Sequence, residues 1–204
     1  MNGPGFVHRF VPGTGPSALV LLHGTGGGEG SLLPLGAALA PGAPMLAPRG
    51  QVMEGPHPRF FRRIAEGVFD QDDLRRRTDD LASFLEGAIS QHRLEGKRLT
   101  AVGFSNGANI AASLLLRRPG LIQDAILFRA MLPFEPETMP TLAGTRVRLG
   151  AGRRDPIVPH TSIERLAAVL GDAGCTVCLD WREGGHQLEP AEVADARRWL
   201  EGSA

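Results

Sequence analysis

The sequence contains a serine, an aspartate and a histidine whose side chains together can carry out nucleophilic catalysis. A serine stands between two glycines in Gly103-Phe104-Ser105-Asn106-Gly107, and Asp155 and His186 follow it along the chain. A serine hydroxyl is a weak nucleophile until a base takes its proton, and the base needs a carboxylate that fixes its tautomer and stabilises the imidazolium. We therefore predict a triad of Ser105 as nucleophile, His186 as base and Asp155 as acid.

The surroundings of Ser105 favour a nucleophile turn over an ordinary strand-to-helix turn. An apolar run, Leu99–Phe104, leads into the serine, and a run of small residues, Ala108–Ser113, follows it. Such a sharp turn exposes the hydroxyl, and a side chain in place of either flanking glycine would crowd the neighbouring strand or helix. The N–H of Asn106, at the start of the helix, is predicted to face a developing oxyanion.

A glycine-rich loop, His23–Gly28, is predicted to supply the second oxyanion donor through the N–H of Thr25. The loop follows the apolar run Ser17–Leu22, and its glycines let the backbone approach a substrate closely. A phosphate loop would end in Gly-Lys-Ser or Gly-Lys-Thr, and a dinucleotide fingerprint would need an acidic residue after the next strand. We interpret His23 as a hydrogen-bonding residue beneath the loop rather than as a base.

Strand-like and helix-like segments alternate along the chain, which predicts an α/β fold. We expect a mostly parallel central sheet with helices on both faces and no separate cap domain. The predicted strands are Ser17–Leu22, Pro44–Ala47, Leu99–Phe104, Ala125–Phe128, Val147–Leu149 and Thr176–Trp181. The predicted helices are Leu32–Leu39 with Ser31 as its cap, Asp72–His92, Asn106–Leu116, Thr161–Leu170 and Pro190–Leu200.

The three predicted catalytic residues each follow one of these strands. Catalytic groups on a parallel sheet lie in loops at the carboxyl ends of the strands, so Ser105, Asp155 and His186 are expected at one edge. The competing acids and histidines do not follow strands in the same way, although His160 is expected near the site. These competitors are Asp124, Asp172, Asp180, His8, His57, His92 and His160.

Length and composition exclude several other classes of protein. The chain has 204 residues, which suits a single domain over 1–204, and its 22 basic and 22 acidic side chains give no net charge that would draw it to nucleic acid. No apolar run is long enough to span a membrane and no signal peptide is recognised, so we expect a cytoplasmic protein.

Cys175 and Cys178 lack a second metal-ligand pair and are interpreted as reduced thiols. We expect no metal and no organic cofactor.

The segment 48–70 is long, rich in proline and glycine and without clear periodicity, which is typical of a binding loop or lid. Phe60 and Phe61 are predicted either to line an acyl or aromatic pocket or to anchor the segment to the core. Arg59, together with Arg62 and Arg63, either attracts an acidic substrate or is paired with Glu66 and Asp70. Met131, after the strand Ala125–Phe128, is a further candidate for the pocket.

With these residues identified, the chain resembles the short, single-domain carboxylesterase/phospholipase branch of the α/β-hydrolases, whose relatives include acyl-protein thioesterases and dienelactone hydrolases. The motifs at 58–63 and 105–109 resemble bacterial carboxylesterases linked to hydroquinone and catechol resistance. The resemblance implies a triad of Ser105, Asp155 and His186 with Thr25 and Asn106 as oxyanion donors. This chain differs from two of these related families at positions that bear on the substrate. Dienelactone hydrolases have cysteine where this chain has Ser105, and thioesterases usually have glutamine where it has Asn106.

The expected activity is hydrolysis of short- to medium-chain or aromatic carboxylic esters, with a small-molecule ester as substrate. Three alternatives remain open: an acyl thioesterase or lysophospholipase on the same triad, a hydrolase of quinone- or catechol-derived products, and a ligand-binding protein on a hydrolase scaffold. The intact set of three catalytic residues argues against the last of these. The sequence is compatible with a homodimer.

Overall fold

A computed structural model describes residues 5–202, and its centre is a seven-stranded sheet. The strand order is β1-β3-β2-β8-β9-β10-β11, and all neighbours are parallel except β1 and β3. The strands of this sheet are β1 (His8–Val11), β2 (Ser17–Leu22), β3 (Met45–Pro48), β8 (Arg98–Phe104), β9 (Asp124–Phe128), β10 (Arg146–Gly152) and β11 (Thr176–Arg182). The prediction of a mostly parallel sheet is confirmed.

Helices cover both faces of the sheet. The helices are α1 (Leu33–Leu39), α2 (Gln71–Gln91), α3 (Asn106–Arg117), α4 (His160–Asp172) and α5 (Pro190–Glu201). One core lies between the sheet and α2, α3 and α4, and a smaller core lies beneath α1 and α5. Side chains of β2 alternate between the two cores, with Val20 and Leu22 in the first and Leu19 and Leu21 in the second, as the two-residue period of a strand requires.

The ends of the predicted elements agree with the structure to within a few residues, but two details were wrong. Ser31 does not cap α1; its Oγ accepts a hydrogen bond from the N–H of Gly28, and the cap position is Leu32. The strand β1 was not predicted. Because β1 is a short edge strand with only half-buried and exposed residues, it lacks an apolar signal.

The segment 48–70 is not an irregular loop, because it contains two short antiparallel hairpins. The first pairs β4 (Val52–Glu54) with β5 (His57–Arg59), and the second pairs β6 (Arg63–Ala65) with β7 (Val68–Phe69). Phe60 and Phe61, between the hairpins, are buried in the larger core. The hairpins are therefore fastened to the domain by two aromatic side chains.

Both cysteines are free thiols. Burial raises the pKa of the Cys175 thiol to about 11, which keeps it protonated and unreactive at neutral pH.

Among the described residues, no helix is both long and apolar enough to cross a membrane. Residues 1–4, on which the prediction of no signal peptide partly rests, lie outside the described residues. The single domain over 1–204, the cytoplasmic location and the homodimer stay predictions.

Candidate active site

Ser105 occupies a strained turn between β8 and α3. Its backbone has φ 52° and ψ −116°, and its N–H donates to the carbonyl of Phe128 on the neighbouring strand. A Cβ at Gly103 would lie 2.6 Å from the Cα of Ala108, and one at Gly107 would overlap the carbonyl of Leu22. Strain of this kind persists only where the surroundings enforce it, and the two glycines are what let the strand and helix approach so closely.

Asp155 and His186 reach Ser105 from the loops after β10 and β11. The imidazole Nε2 of His186 lies 3.1 Å from the Oγ of Ser105, and its Nδ1 lies 2.8 Å from the Oδ2 of Asp155. Three side chains from distant parts of the chain thus form one hydrogen-bonded series at the carboxyl edge of the sheet.

The buried carboxylate fixes the direction of this series. Oδ1 of Asp155 accepts the N–H groups of Ile157 and Val158, at 2.8 and 3.1 Å, so Oδ2 is turned toward the imidazole. An ionised carboxylate only accepts hydrogen bonds, which requires that Nδ1 of His186 carry the proton. Nε2 is then an acceptor for the Ser105 hydroxyl, and the arrangement can take up the serine proton.

The competing residues make other contacts. Asp124 is buried at the amino end of β9 and is paired with Arg98 and Arg146. His160 packs edge-on against Trp181 and its Nε2 lies 2.9 Å from the carbonyl oxygen of Arg153. In the part of the chain that the structure describes, none of the remaining competitors is hydrogen-bonded to the side chains of Ser105, His186 or Asp155.

Thr25 and Asn106 line the same cavity as Ser105. Within residues 5–202, neither backbone N–H has a hydrogen-bond acceptor, so both are available to a ligand. Side chains hold the two amides in place: Arg59 donates from Nη1 to the Oγ1 of Thr25 at 2.7 Å, and Oδ1 of Asn106 accepts the N–H of Phe60 at 2.7 Å. The hairpin segment is therefore hydrogen-bonded to the side chains of the two residues that carry these amides.

His23 lies beneath the glycine-rich loop, as predicted. Its Nε2 accepts the N–H of Gly50 at 2.9 Å and its Nδ1 lies 2.7 Å from the carbonyl oxygen of Gly24. Only the neutral imidazole can make both bonds, since a protonated ring has no acceptor. Burial lowers the pKa of His23 below its usual 6.5, which keeps the ring neutral.

This neutral histidine predicts a pH dependence of stability. The folded protein binds a proton on His23 less tightly than the unfolded chain does. The contribution of the neutral His23 ring to the free energy of unfolding is therefore complete above about pH 6.5 and is lost as the pH falls below that value. The thermal midpoint of the wild type should exceed that of His23→Gln by more at pH 7.5 than at pH 5. A change of 1 kcal/mol moves the midpoint by about 2–4 °C in a domain of this size. Parallel curves for the two proteins would contradict the prediction.

The cavity above Ser105 has a volume of about 350 Å³. Of the predicted pocket residues, Arg59 and Met131 line it, but Phe60 and Phe61 do not, because both rings are buried in the core. Its walls also include residues that the sequence did not suggest for the pocket, among them Phe69, Phe104 and Ile157. A larger cavity of about 650 Å³ lies at the amino edge of the sheet, away from the hydrogen-bonded series.

The basic residues of the hairpin segment are largely neutralised. Arg63 makes a bidentate pair with Glu54, and Arg62 is paired with Asp70. Arg59 is buried and lies 3.5 Å from the same Glu54. The second of the two predicted alternatives, pairing with acidic neighbours, therefore describes these residues better, although Glu54 and not Glu66 pairs with Arg63.

Sequence reasoning missed Arg129 and Glu192, a fully buried ion pair beside the loop that carries His186. Arg129 has φ 59° and stands just after β9, and Glu192 lies in the first turn of α5. Neither belongs to a motif in the sequence, and 63 positions separate them. In the described part of the chain, no group of three or more histidine, cysteine or acidic side chains is placed to hold a metal ion.

A serine at the carboxyl edge of a mostly parallel sheet, on a strained turn, defines the class as α/β-hydrolase. Comparisons with known proteins agree. Residues 59–203 match the phospholipase/carboxylesterase family. The chain is 44% identical over 192 residues to the putative hydrolase MhqD of Bacillus subtilis, covering 94% of this chain and 96% of that protein. The chain therefore belongs to the phospholipase/carboxylesterase family and is a hydrolase, as its motifs predicted.

Solved structures support the same assignment. A carboxylesterase from Bacillus cereus is 40% identical and superposes with a TM-score of 0.95, covering 98% of this chain and 95% of that one. A carboxylesterase from Mesorhizobium loti is 32% identical with a TM-score of 0.91, covering 97% of this chain and 95% of that one. These relatives share the fold over nearly the whole length of the chain.

Proposed function

We propose that the chain is a serine carboxylesterase that hydrolyses short- to medium-chain or aromatic carboxylic esters through an acyl-enzyme on Ser105. The observation that carries the proposal is the series Ser105 Oγ–His186 Nε2–Asp155, with contacts of 3.1 and 2.8 Å, at a cavity also lined by Thr25 and Asn106, whose backbone amides have no acceptor within residues 5–202. A nucleophile, a base, an orienting acid and oxyanion donors are the parts that acyl transfer requires.

In the first half-reaction, the Oγ of Ser105 attacks the ester carbonyl while Nε2 of His186 takes the hydroxyl proton. The carbonyl oxygen becomes negative and is held by the N–H groups of Thr25 and Asn106. The tetrahedral intermediate collapses, the carbon–oxygen bond to the alcohol breaks, and His186 returns its proton to the leaving alkoxide. Asp155 stays ionised and stabilises the imidazolium.

In the second half-reaction, water attacks the acyl-enzyme while His186 again acts as base. The oxyanion forms in the same place, the bond between the acyl carbon and Ser105 Oγ breaks, and the serine receives the proton. The products are a carboxylic acid and the enzyme in its starting state. No step needs a redox change.

The walls of the cavity support small acyl groups. Its apolar side chains are Phe69, Phe104, Met131 and Ile157, and a volume of about 350 Å³ is at the lower end of ligand pockets. An acyl chain of medium length fills such a space, whereas a long chain would have to extend into solvent and gain little burial. Turnover should therefore fall from butyrate and hexanoate esters to laurate esters.

The proposal is tested by turnover of p-nitrophenyl esters from acetate to laurate, by matched thioesters, and by labelling with a fluorophosphonate whose site is mapped by peptide mass spectrometry. Ester turnover with label on Ser105 is expected. A higher kcat/KM for thioesters would move the assignment to a thioesterase of the same family. Absence of both turnover and label in folded protein would reject the proposal.

A variant of Arg59 tests whether this residue positions Thr25 or binds an acidic substrate. If Arg59 acts by holding Thr25, Arg59→Met should lower kcat/KM by about 10- to 100-fold for neutral and for acidic esters alike, because small displacements of catalytic groups are costly. If it binds an acidic substrate, only esters that carry a carboxylate should suffer. The comparison of p-nitrophenyl butyrate with a p-nitrophenyl hemisuccinate distinguishes the two, with Arg62→Met as an exposed control.

A further inference from the structure

Arg129 makes an unusual set of contacts with the loop that carries His186. Its Nε donates to the carbonyl of Gly185 at 2.9 Å, and its Nη2 donates to the carbonyl of Gln187 at 2.7 Å. These two carbonyls belong to the residues immediately before and after His186. One guanidinium therefore donates hydrogen bonds to the backbone carbonyls on both sides of His186.

The same guanidinium is anchored at its other side. Nη1 and Nη2 donate to the two carboxylate oxygens of Glu192, each at 2.7 Å, and both side chains are almost fully buried. Glu192 in turn accepts the N–H of Glu189 and so closes the first turn of α5. The N–H of Arg129 donates to the carbonyl of Gly150 on β10. Arg129 thus connects β9, β10, α5 and the histidine loop.

Stability alone is a poor explanation for this pair. Removing two charges from water is costly, and buried ion pairs are often matched or exceeded in stability by apolar residues of similar size. What an apolar pair could not provide is a set of directed bonds to the carbonyls of Gly185 and Gln187. Arg129 also holds a left-handed backbone conformation, φ 59°, that side chains rarely adopt.

We infer that Arg129, held by Glu192, is a positioning residue for His186: it fixes the loop so that Nε2 meets Ser105 and Nδ1 meets Asp155. The inference rests on the proposed function, since it concerns the base of that reaction. Arg129 does not touch the cavity, because its side chain has no exposed surface. Its loss should therefore change the rate of the chemical steps more than the binding of substrate.

The test compares three variants with the wild type on p-nitrophenyl butyrate. Arg129→Met/Glu192→Leu removes both charges together, so that neither is left buried alone. Arg129→Lys keeps the charge but loses the planar fork that reaches two carbonyls and a carboxylate at once. The control is Asp124→Asn, which weakens another buried ion-pair cluster at the amino edge of the sheet, far from Ser105.

In the double variant, kcat should fall by about 100-fold with KM within threefold of the wild type, because a displacement of about 1 Å has that effect on a catalytic group. Arg129→Lys should lose about tenfold in kcat at unchanged KM, which also keeps the inference testable if the double variant does not fold. Asp124→Asn should lower the thermal midpoint and leave kcat unchanged.

The inference is overturned if Arg129→Lys, or the folded double variant, keeps a kcat within threefold of the wild type. It is also overturned if Asp124→Asn, at a similar loss of thermal midpoint, shows the same fall in kcat as the Arg129 variants. A wild type that neither hydrolyses esters nor takes a fluorophosphonate label would reject the proposed function together with this inference. An active wild type with equally active Arg129 variants would reject this inference alone.

Discussion

Replacing Ser105 by alanine should lower kcat by about 10⁴- to 10⁶-fold and abolish fluorophosphonate labelling, while the protein keeps its fold. Loss of the nucleophile in related triads has effects of this size, and the remaining activity comes from the oxyanion donors and substrate binding. Both alanine and serine have a Cβ and so meet the same backbone strain at position 105, and the hydrogen bond of the serine hydroxyl is to His186 at the cavity. The thermal midpoint should therefore stay close to that of the wild type.

Ser113→Ala is the matched control for this variant. Ser113 lies on α3, the helix that begins just after Ser105, and its hydroxyl is hydrogen-bonded to Thr78 within the core at 2.7 Å. Its removal should cost about 1 kcal/mol of stability and leave kcat unchanged. Equal loss of activity in the two variants would show that the effect of Ser105→Ala is structural, and retained turnover in Ser105→Ala would exclude Ser105 as the nucleophile.

The elements of the fold that could be predicted are those whose place in the folded domain produces a recognisable pattern in the sequence. After their first residue, β2 and β9 are continuous apolar runs because both of their faces are buried, and the turn at Ser105 is marked by glycines at which a Cβ would collide with neighbouring backbone. The three residues of the proposed triad could be proposed from chain order and from their places after predicted strands. Their contacts could not, since those depend on strand order.

Other features gave no local signal. β10 continues through Gly150, Ala151 and Gly152, three residues beyond the predicted strand Val147–Leu149, and all three pair in register with β11. The glycine at 152 is needed because a Cβ there would collide with the carbonyls of the histidine loop. A glycine required by close backbone approach and a glycine required by a turn cannot be distinguished from sequence alone.

The pocket and its supports were the least predictable. Phe60 and Phe61 were expected either in the pocket or in the core, and the choice depends on how two short hairpins fold over Asn106. Arg129 and Glu192 meet only because the residue after β9 and the first turn of α5 come together in three dimensions. An ion pair of this kind follows from the fold and leaves no spacing or periodicity in the sequence.

Asp155→Asn should lower kcat by about 10⁴-fold with little change in stability, because the substitution reverses the tautomer of His186. The asparagine oxygen is expected to keep the position of Oδ1, which accepts the N–H groups of Ile157 and Val158. The amide NH₂ then occupies the position of Oδ2 and faces Nδ1 of His186 as a donor. To accept that bond, the imidazole must carry its proton on Nε2.

An imidazole protonated on Nε2 cannot take the proton of Ser105, which explains an effect far larger than one lost hydrogen bond. The expected result is a kcat that falls about 10⁴-fold with KM nearly unchanged, measured on p-nitrophenyl butyrate. Asp172→Asn, at the exposed end of α4, serves as the control and should behave as the wild type. If Asp155→Asn keeps more than a tenth of the wild-type kcat, Asp155 does not orient the base, and the acid of the site has to be sought among the other carboxylates.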